Sequence, residues 1–320
     1  MKIMKILLLS LILSIFYTIN ASEVIPKNKI VYIANDHSIP YWQIMYKGMR
    51  SEALSKNYEL EIYDAKNQPK KELELIIKAI KEKAKGIIIS PSNSSAAVTL
   101  LEIAKNANIP VVISDIGSDG GEYVSYISSN NVAGAYDIGT LLSKKMIEKS
   151  WQNGRVGIIA IPQKRLNGQQ RTTGFMKALQ EKEIKGADIK QIQEWTEEET
   201  YNFSKDFILK YPELRAIWLQ TSNLYKGAIR AIKELKKEKE LFLVTFDAEP
   251  EFIDLINDGI IIGSGMQQPY IMGKKSARAL INHLNGKKVE KNIQVSILTI
   301  STENIKENLI AIEHNVLGIE

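Results

Sequence analysis

Short, unbroken β-branched runs recur along this chain, separated by longer amphipathic stretches, and that alternation leaves few folds open. Ile30–Ala34, Leu60–Tyr63, Gly86–Ile89 and Val111–Ile113 read as strands without polar alternation. Such strands are buried on both faces, as in a parallel sheet covered by helices on either side. Between them, Tyr41–Asn57, Lys70–Lys83 and Ser95–Asn106 carry apolar residues at helical spacing, with Leu73, Ile76, Ile77 and Ile80 on one face. The pattern restarts at Val156–Ala160 and runs on through Ala216–Leu219, Phe242–Thr245 and Ile260–Ile262. Two βα runs of similar size predict two similar doubly wound α/β lobes. The length of 320 residues suits that division, at roughly 150 residues per domain.

The two halves echo one another. Gly86–Ser90 leads through a helix to Pro110–Asp115, and Ala216–Thr221 leads through another to Leu243–Asp247. Ser90 and Asp115 lie 25 residues apart, Thr221 and Asp247 26. In each half one strand ends on a small hydroxyl residue and the next on aspartate. Open α/β sheets bind ligands at the carboxyl ends of their strands, so two such edges facing each other predict a polar cleft between the lobes.

At the N-terminus, Lys2 and Lys5 flank the apolar run Ile6–Phe16, followed by Thr18–Ser22. Basic start, short apolar core and a small residue at the cut read as a secretory signal peptide, residues 1–21. The run is shorter than the about 20 apolar residues of a spanning helix. Removing Lys2 and Lys5 lowers the formal net charge from +5 to +3, too little to argue for nucleic acid. The first strand starts soon after the expected cut, which leaves no room for a three-helix DNA-binding unit. A soluble periplasmic protein is expected.

Motifs for chemistry are scarce. With no cysteine, thiolate catalysis, disulfides and cysteine-ligated metals are excluded. His37, His283 and His314 lack metal-ligand spacing. Neither a nucleophile elbow, a phosphate-binding P-loop nor a dinucleotide fingerprint is present. No enzyme activity, metal or cofactor is expected. What remains is aromatic and polar: Tyr41-Trp42 opens a helix after Pro40, and Trp195 precedes the acidic helix start Glu197-Glu198-Glu199. Indole faces pack on the C–H faces of sugars, while carboxylates and guanidinium groups bind hydroxyls.

These residues carry a family resemblance. Ile30–Met49 with Pro40-Tyr41-Trp42, then Asp64–Gln68, Ile89-Ser90-Pro91, Ile109-Pro110-Val111, Ser129-Asn130-Asn131, Arg171–Phe175 and Thr245-Phe246-Asp247 resemble, in order and spacing, the ribose-type periplasmic solute-binding proteins. The resemblance runs from about Lys29 to Ile300. It implies two lobes joined by three hinge crossovers, near Asn130, Gln268 and Ser296, closing on a ligand. The first lobe would take residues 22–130 and 268–296, the second 131–267 and 297–320. It implies that Tyr41 and Trp42 face Trp195 across a sugar, and that Asp115, Arg171, Asp247 and Gln267 bind hydroxyls, with Asn35, Ser90 and Thr221 at further contact positions. Ile39, Ile116 and Thr221 depart from the asparagine, arginine and asparagine of ribose binders. The implied function is capture of a sugar or sugar-like molecule by a monomeric receptor. The receptor would deliver it to an ABC permease or present it to a membrane sensor kinase. A methylated amine held by the aromatics and carboxylates, or autoinducer-2, is the alternative ligand.

Overall fold

The computed structural model describes residues 28–319, so the expected signal peptide lies outside the described residues. In the first half, β1 (Asn28–Ala34), β2 (Tyr58–Asp64), β3 (Gly86–Ile89), β4 (Val111–Ser114) and β5 (Ser125–Ser129) alternate with α1 (Pro40–Ser55), α2 (Pro69–Lys81) and α3 (Ser94–Asn106). In the second, β6 (Arg155–Ala160), β7 (Lys185–Gln191), β8 (Leu214–Leu219), β9 (Phe242–Phe246) and β10 (Gly263–Met266) alternate with α4 (Asn131–Glu148), α5 (Leu166–Gln180), α6 (Glu197–Lys210), α7 (Tyr225–Glu234) and α8 (Phe252–Asn257). The chain then returns through α9 (Pro269–Leu284), β11 (Asn292–Val295) and β12 (Leu298–Ser301).

The strands form two six-stranded sheets, ordered β11-β5-β4-β3-β1-β2 and β12-β10-β9-β8-β6-β7. Every pairing is parallel except β10 with β12. Each sheet has a buried apolar layer on both faces, one built on Tyr32, Met45 and Leu280 and the other on Ile33, Ile76 and Ile87 in the first lobe. The second lobe repeats this with Phe207 and Phe252 on one face and Phe175 stacked on Trp218 at 3.8 Å on the other.

The chain passes between the sheets three times. Asn130 separates β5 from α4, which packs on α5; Gln268 separates β10 from α9, which packs on α1; Ser296 lies between β11 and β12. These segments touch: the Asn130 N–H donates to the Val295 carbonyl at 3.0 Å and Gln268 Nε2 to the Ser296 carbonyl at 2.9 Å. The α1–α9 contact is close enough to need glycine, because a Cβ on Gly48 would sit 2.1 Å from the Tyr270 carbonyl oxygen. After β12 the chain buries Ile312, Val316 and Leu317 in the second-lobe core, yet Gly318 lies against Ile44 of α1 and accepts a hydrogen bond from Lys47 Nζ.

One expected strand is displaced. Ile260–Ile262 leads into β10, which is Gly263–Met266. Gly265 lies beside the Phe246 ring, which a Cβ would approach to 3.0 Å, so this central strand is built of small residues where an apolar run was expected.

Candidate functional site

The carboxyl ends of both sheets face a cavity of about 280 Å³. Its two aspartates are placed by one backbone device. Asp115 follows β4 and Asp247 follows β9, each with φ of 68°. Aspartate tolerates this left-handed conformation better than most residues. The Asp115 N–H donates to the Ile127 carbonyl at 2.8 Å and the Asp247 N–H to the Gly265 carbonyl at 2.9 Å, each on the next strand of its sheet. Tyr126 OH caps the Asp115 carbonyl at 2.8 Å and Ser264 Oγ the Asp247 carbonyl at 2.5 Å. With the main chain tied down, both side chains turn into the cavity.

Their surroundings differ. Asp115 accepts from Tyr41 OH at 2.9 Å and, across the cleft, from Asn167 Nδ2 at 3.2 Å. Burial pushes its carboxyl up to about 6, and the Asp247 charge adds to this, against the pull of Arg171 and the Tyr41 hydrogen bond. Asp247 accepts from Gln267 Nε2 at 2.6 Å and lies 3.7 Å from Arg171 Nη1. Burial raises it too, opposed by the Arg171 guanidinium. Tyr41 is pushed well above its usual range by burial and by the neighbouring carboxylates, so it is a neutral donor.

Two guanidinium groups answer the two carboxylates. Arg171 on α5 donates from Nε to Asn131 Oδ1 and from Nη1 to the Gln220 carbonyl, both at 2.9 Å, and lies 4.0 Å over the Phe246 ring. It therefore supports the second lobe as well as lining the cavity. Arg165, at the start of α5, reaches the first lobe: Nε donates to the Ser92 carbonyl at 3.0 Å and Nη2 to Asn67 Oδ1 at 2.8 Å. It also lies 5.0 Å over the Trp195 ring. Burial draws it down to about 10, which leaves it charged at neutral pH, with Asp115 and Glu72 favouring that charge. Glu72, itself pushed up to about 7 by burial, fixes the Ser92 segment by accepting from its N–H and hydroxyl. The Leu166 N–H adds a further bond across the cleft, to Ser94 Oγ at 2.9 Å.

Tyr41 and Trp42 meet edge to face at 4.9 Å, and both line the cavity from the first lobe. Trp195 lines it from the second with φ of 57°. Its loop is anchored by the acidic helix start noted in the sequence: Glu199 accepts from the N–H groups of Gln193, Glu194 and Trp195. Of the seven buried side-chain polar atoms without a hydrogen-bond partner among the described residues, two belong to the cavity lining. Asn35 Nδ2 is a spare donor and Gln267 Oε1 a spare acceptor, on cavity residues that are each 2% exposed. A buried polar group left unpaired costs about 1–3 kcal/mol, and a hydroxylated guest can satisfy both.

Of the expected contact residues, Asn35, Tyr41, Trp42, Asp115, Arg171, Trp195, Thr221, Asp247 and Gln267 all line the cavity. Ser90 does not, and that expectation is corrected. Ser90 is fully buried, its hydroxyl 3.1 Å from Tyr32 OH. The register explains the error: the Ser90 N–H donates to the Ile33 carbonyl as the Gln220 N–H donates to that of Ile159. Ser90 is thus the counterpart of Gln220, and Thr221 lies one residue further out. Ile116, one of the three departures, is buried away from the cavity, whereas Ile39 and Thr221 line it. Asn67, Ile161, Arg165, Asn167 and Asn223 also line it and were not anticipated. Asn67, Ile161 and Asn223 lie just beyond the ends of β2, β6 and β8, so the strand-end rule applied to every strand would have found them, whereas Arg165 and Asn167 sit at the start of α5. Among the described residues no cluster of three histidine, aspartate or glutamate side chains could hold a metal.

Residues 30–288 match the family model described as the periplasmic binding protein domain. The ribose import binding protein of Escherichia coli strain K12 is 27% identical over 282 residues, covering 87% of this chain and 92% of its own. The D-apiose import binding protein of Actinobacillus succinogenes is 24% identical over 268 residues, covering 83% and 82%. In fold, the chain is similar to a carbohydrate transporter solute-binding protein from Agrobacterium radiobacter solved with D-arabinose. The TM-score is 0.83 at 21% identity, over 91% of this chain and 99% of the other.

Proposed function

The chain belongs to the periplasmic binding protein domain family, and from that premise we propose that it is a non-catalytic periplasmic receptor that captures one sugar-sized polyol between its lobes and delivers it to an ABC permease. The observation that carries this reading is the unpartnered pair Asn35 Nδ2 and Gln267 Oε1 in a cavity lined by charges of both signs, Asp36, Asp115, Glu194 and Asp247 against Lys66, Arg165 and Arg171. Such a lining matches a neutral molecule that both donates and accepts. At about 30 Å³ per water, a cavity of about 280 Å³ holds roughly nine waters, the bulk of one monosaccharide. Tyr41, Trp42 and Trp195 would take the ring's C–H faces. Ligand contacts from both lobes favour the closed form, so binding closes the hinge. The receptor acts as a monomer, and a signal peptide at residues 1–21 takes it to the periplasm.

The methylated-amine alternative is not favoured, because Lys66, Arg165 and Arg171 line the same cavity and offset most of its carboxylate charge. A thermal-shift screen separates the two. A bound sugar at about 100 times its Kd adds about 2.7 kcal/mol, which raises Tm by roughly 5–10 °C. D-ribose, D-allose, D-arabinose, D-apiose and trimethylamine form the first panel. A rise with a sugar supports the reading; a rise with trimethylamine and with no sugar contradicts it.

A further inference from the structure

Two aliphatic side chains enter this otherwise polar and aromatic cavity, one from each lobe: Ile39 before α1 and Ile161 just beyond β6. Neither leaves a free main-chain group at its position. The Ile39 carbonyl accepts from the Trp42 and Gln43 N–H groups, and its own N–H donates to the Asp36 carbonyl. The Ile161 N–H donates to Gln220 Oε1 at 3.3 Å, and its carbonyl accepts from Gln163 Nε2 at 3.0 Å. What each offers a guest is hydrocarbon only.

Ile39 packs on the apolar layer around Tyr32, Met45 and Leu280 and also lines the cavity. It is the N-cap of α1, where serine, threonine, aspartate or asparagine is preferred, and it makes no side-chain cap bond. Its hydrocarbon is therefore shared between the core and the cavity wall, and the part that lines the cavity offers a guest no polar group. The aromatic walls can accept the polarised C–H faces of any sugar ring. Isoleucine has no such face, so a hydroxyl directed at it loses its water and gains no partner. Hydrocarbon placed there gains instead.

We propose that the cognate ligand is a deoxy sugar, a deoxypentose or 6-deoxyhexose with one hydroxyl-free edge, and that Ile39 and Ile161 are the residues that select it. This rests on the sugar-receptor reading above and names its substrate class. A hydrophobic pocket rejects an analogue that merely adds a hydroxyl by about 10²-fold, so a preference of 10- to 100-fold over the hydroxylated parent is expected.

The test is calorimetric titration with matched pairs: D-ribose against 2-deoxy- and 5-deoxy-D-ribose, D-galactose against D-fucose, L-galactose against L-fucose, and L-mannose against L-rhamnose. The tightest sugar should be a deoxy member, at least 10-fold tighter than its parent. Ile161→Thr and Ile39→Asn should each shrink that gap to about 3-fold or less by strengthening the parent's binding. The Tm of the sugar-free protein should fall only slightly for Ile39→Asn, since the better N-cap of asparagine offsets part of the core contact that Ile39 gives up. Parents that bind as tightly as their deoxy partners in every pair, or a gap unmoved in both variants, overturn the proposal while leaving the sugar-receptor reading intact. If no sugar of either kind binds, both fall together.

Discussion

Asp115 and Asp247 occupy the same place in two lobes of one design, and the chemistry around them has parted company. Each follows a strand in left-handed conformation, donates its N–H to the next strand and has its carbonyl capped by a hydroxyl. Asp115 is then met by a phenol and an amide, Asp247 by an amide and a guanidinium. Backbone hydrogen bonding repeats between the lobes because the sheet edge dictates it. Side-chain charge does not repeat, because the guanidinium groups come from one element, α5 and its start, in the second lobe only. The first lobe holds an under-compensated carboxylate; the second holds a paired one.

Four tests sharpen or break this contrast. The largest effect is expected at Asp247, where Asp247→Ala removes a charged acceptor and leaves Arg171 without its counter-charge. Sugar binding should weaken by about 2–4 kcal/mol in calorimetry. Wild-type affinity in Asp247→Ala would place the site elsewhere.

Arg165→Ala comes next, because it deletes both bonds from the second lobe to Ser92 and Asn67. A loss of about 1–3 kcal/mol is expected, carried mainly by faster dissociation in stopped-flow traces, since these bonds form only when the lobes meet. An unchanged off-rate would mean that Arg165 is no clasp.

The third compares the aspartates through pH. A carboxyl raised to about 6 in the folded chain, from an ordinary 3.8, keeps its proton longer than in the unfolded chain. Below about pH 4 both states are protonated and no effect appears; stability falls as pH rises toward 6; above that the cost is complete, at most about 3 kcal/mol. Asp115→Asn should therefore raise Tm at pH 8 and lose its advantage by pH 4. Asp247→Asn should gain less, since Arg171 offsets that charge. Equal gains would erase the distinction between the lobes.

The smallest effect is expected at Ser90. Ser90→Ala should cost about 1 kcal/mol of stability through the lost Tyr32 contact and leave sugar affinity within about twofold. A larger affinity change would return Ser90 to the site.

The sequence made the two-lobed architecture legible because its central strands are short, unbroken β-branched runs that alternate with amphipathic helical stretches in two similar sets. It hid β10, where Gly265 stands beside Phe246, and it displaced Ser90, because counting residues between strand ends cannot see a one-residue offset that only hydrogen-bond register reveals. Tyr41, Trp42, Asp115 and Asp247 were readable from residue type and position, and Arg171 from the family resemblance. Arg165 and Asn167 were not, since their role depends on the opposite lobe: Arg165 acts on Ser92 and Asn67, Asn167 on Asp115, all remote in the chain.

The central claim is that one sugar is held by both lobes at once. The cysteine-free chain allows spin labels at Lys81→Cys on α2 and Lys233→Cys on α7, both exposed, without background. Inter-label distances should be measured by double electron–electron resonance, with and without a saturating sugar that raises Tm. The account predicts a broad distribution that narrows and shifts on binding, and no shift in Asp247→Ala at the same sugar concentration. An identical distribution with and without the bound, stabilising sugar would contradict it.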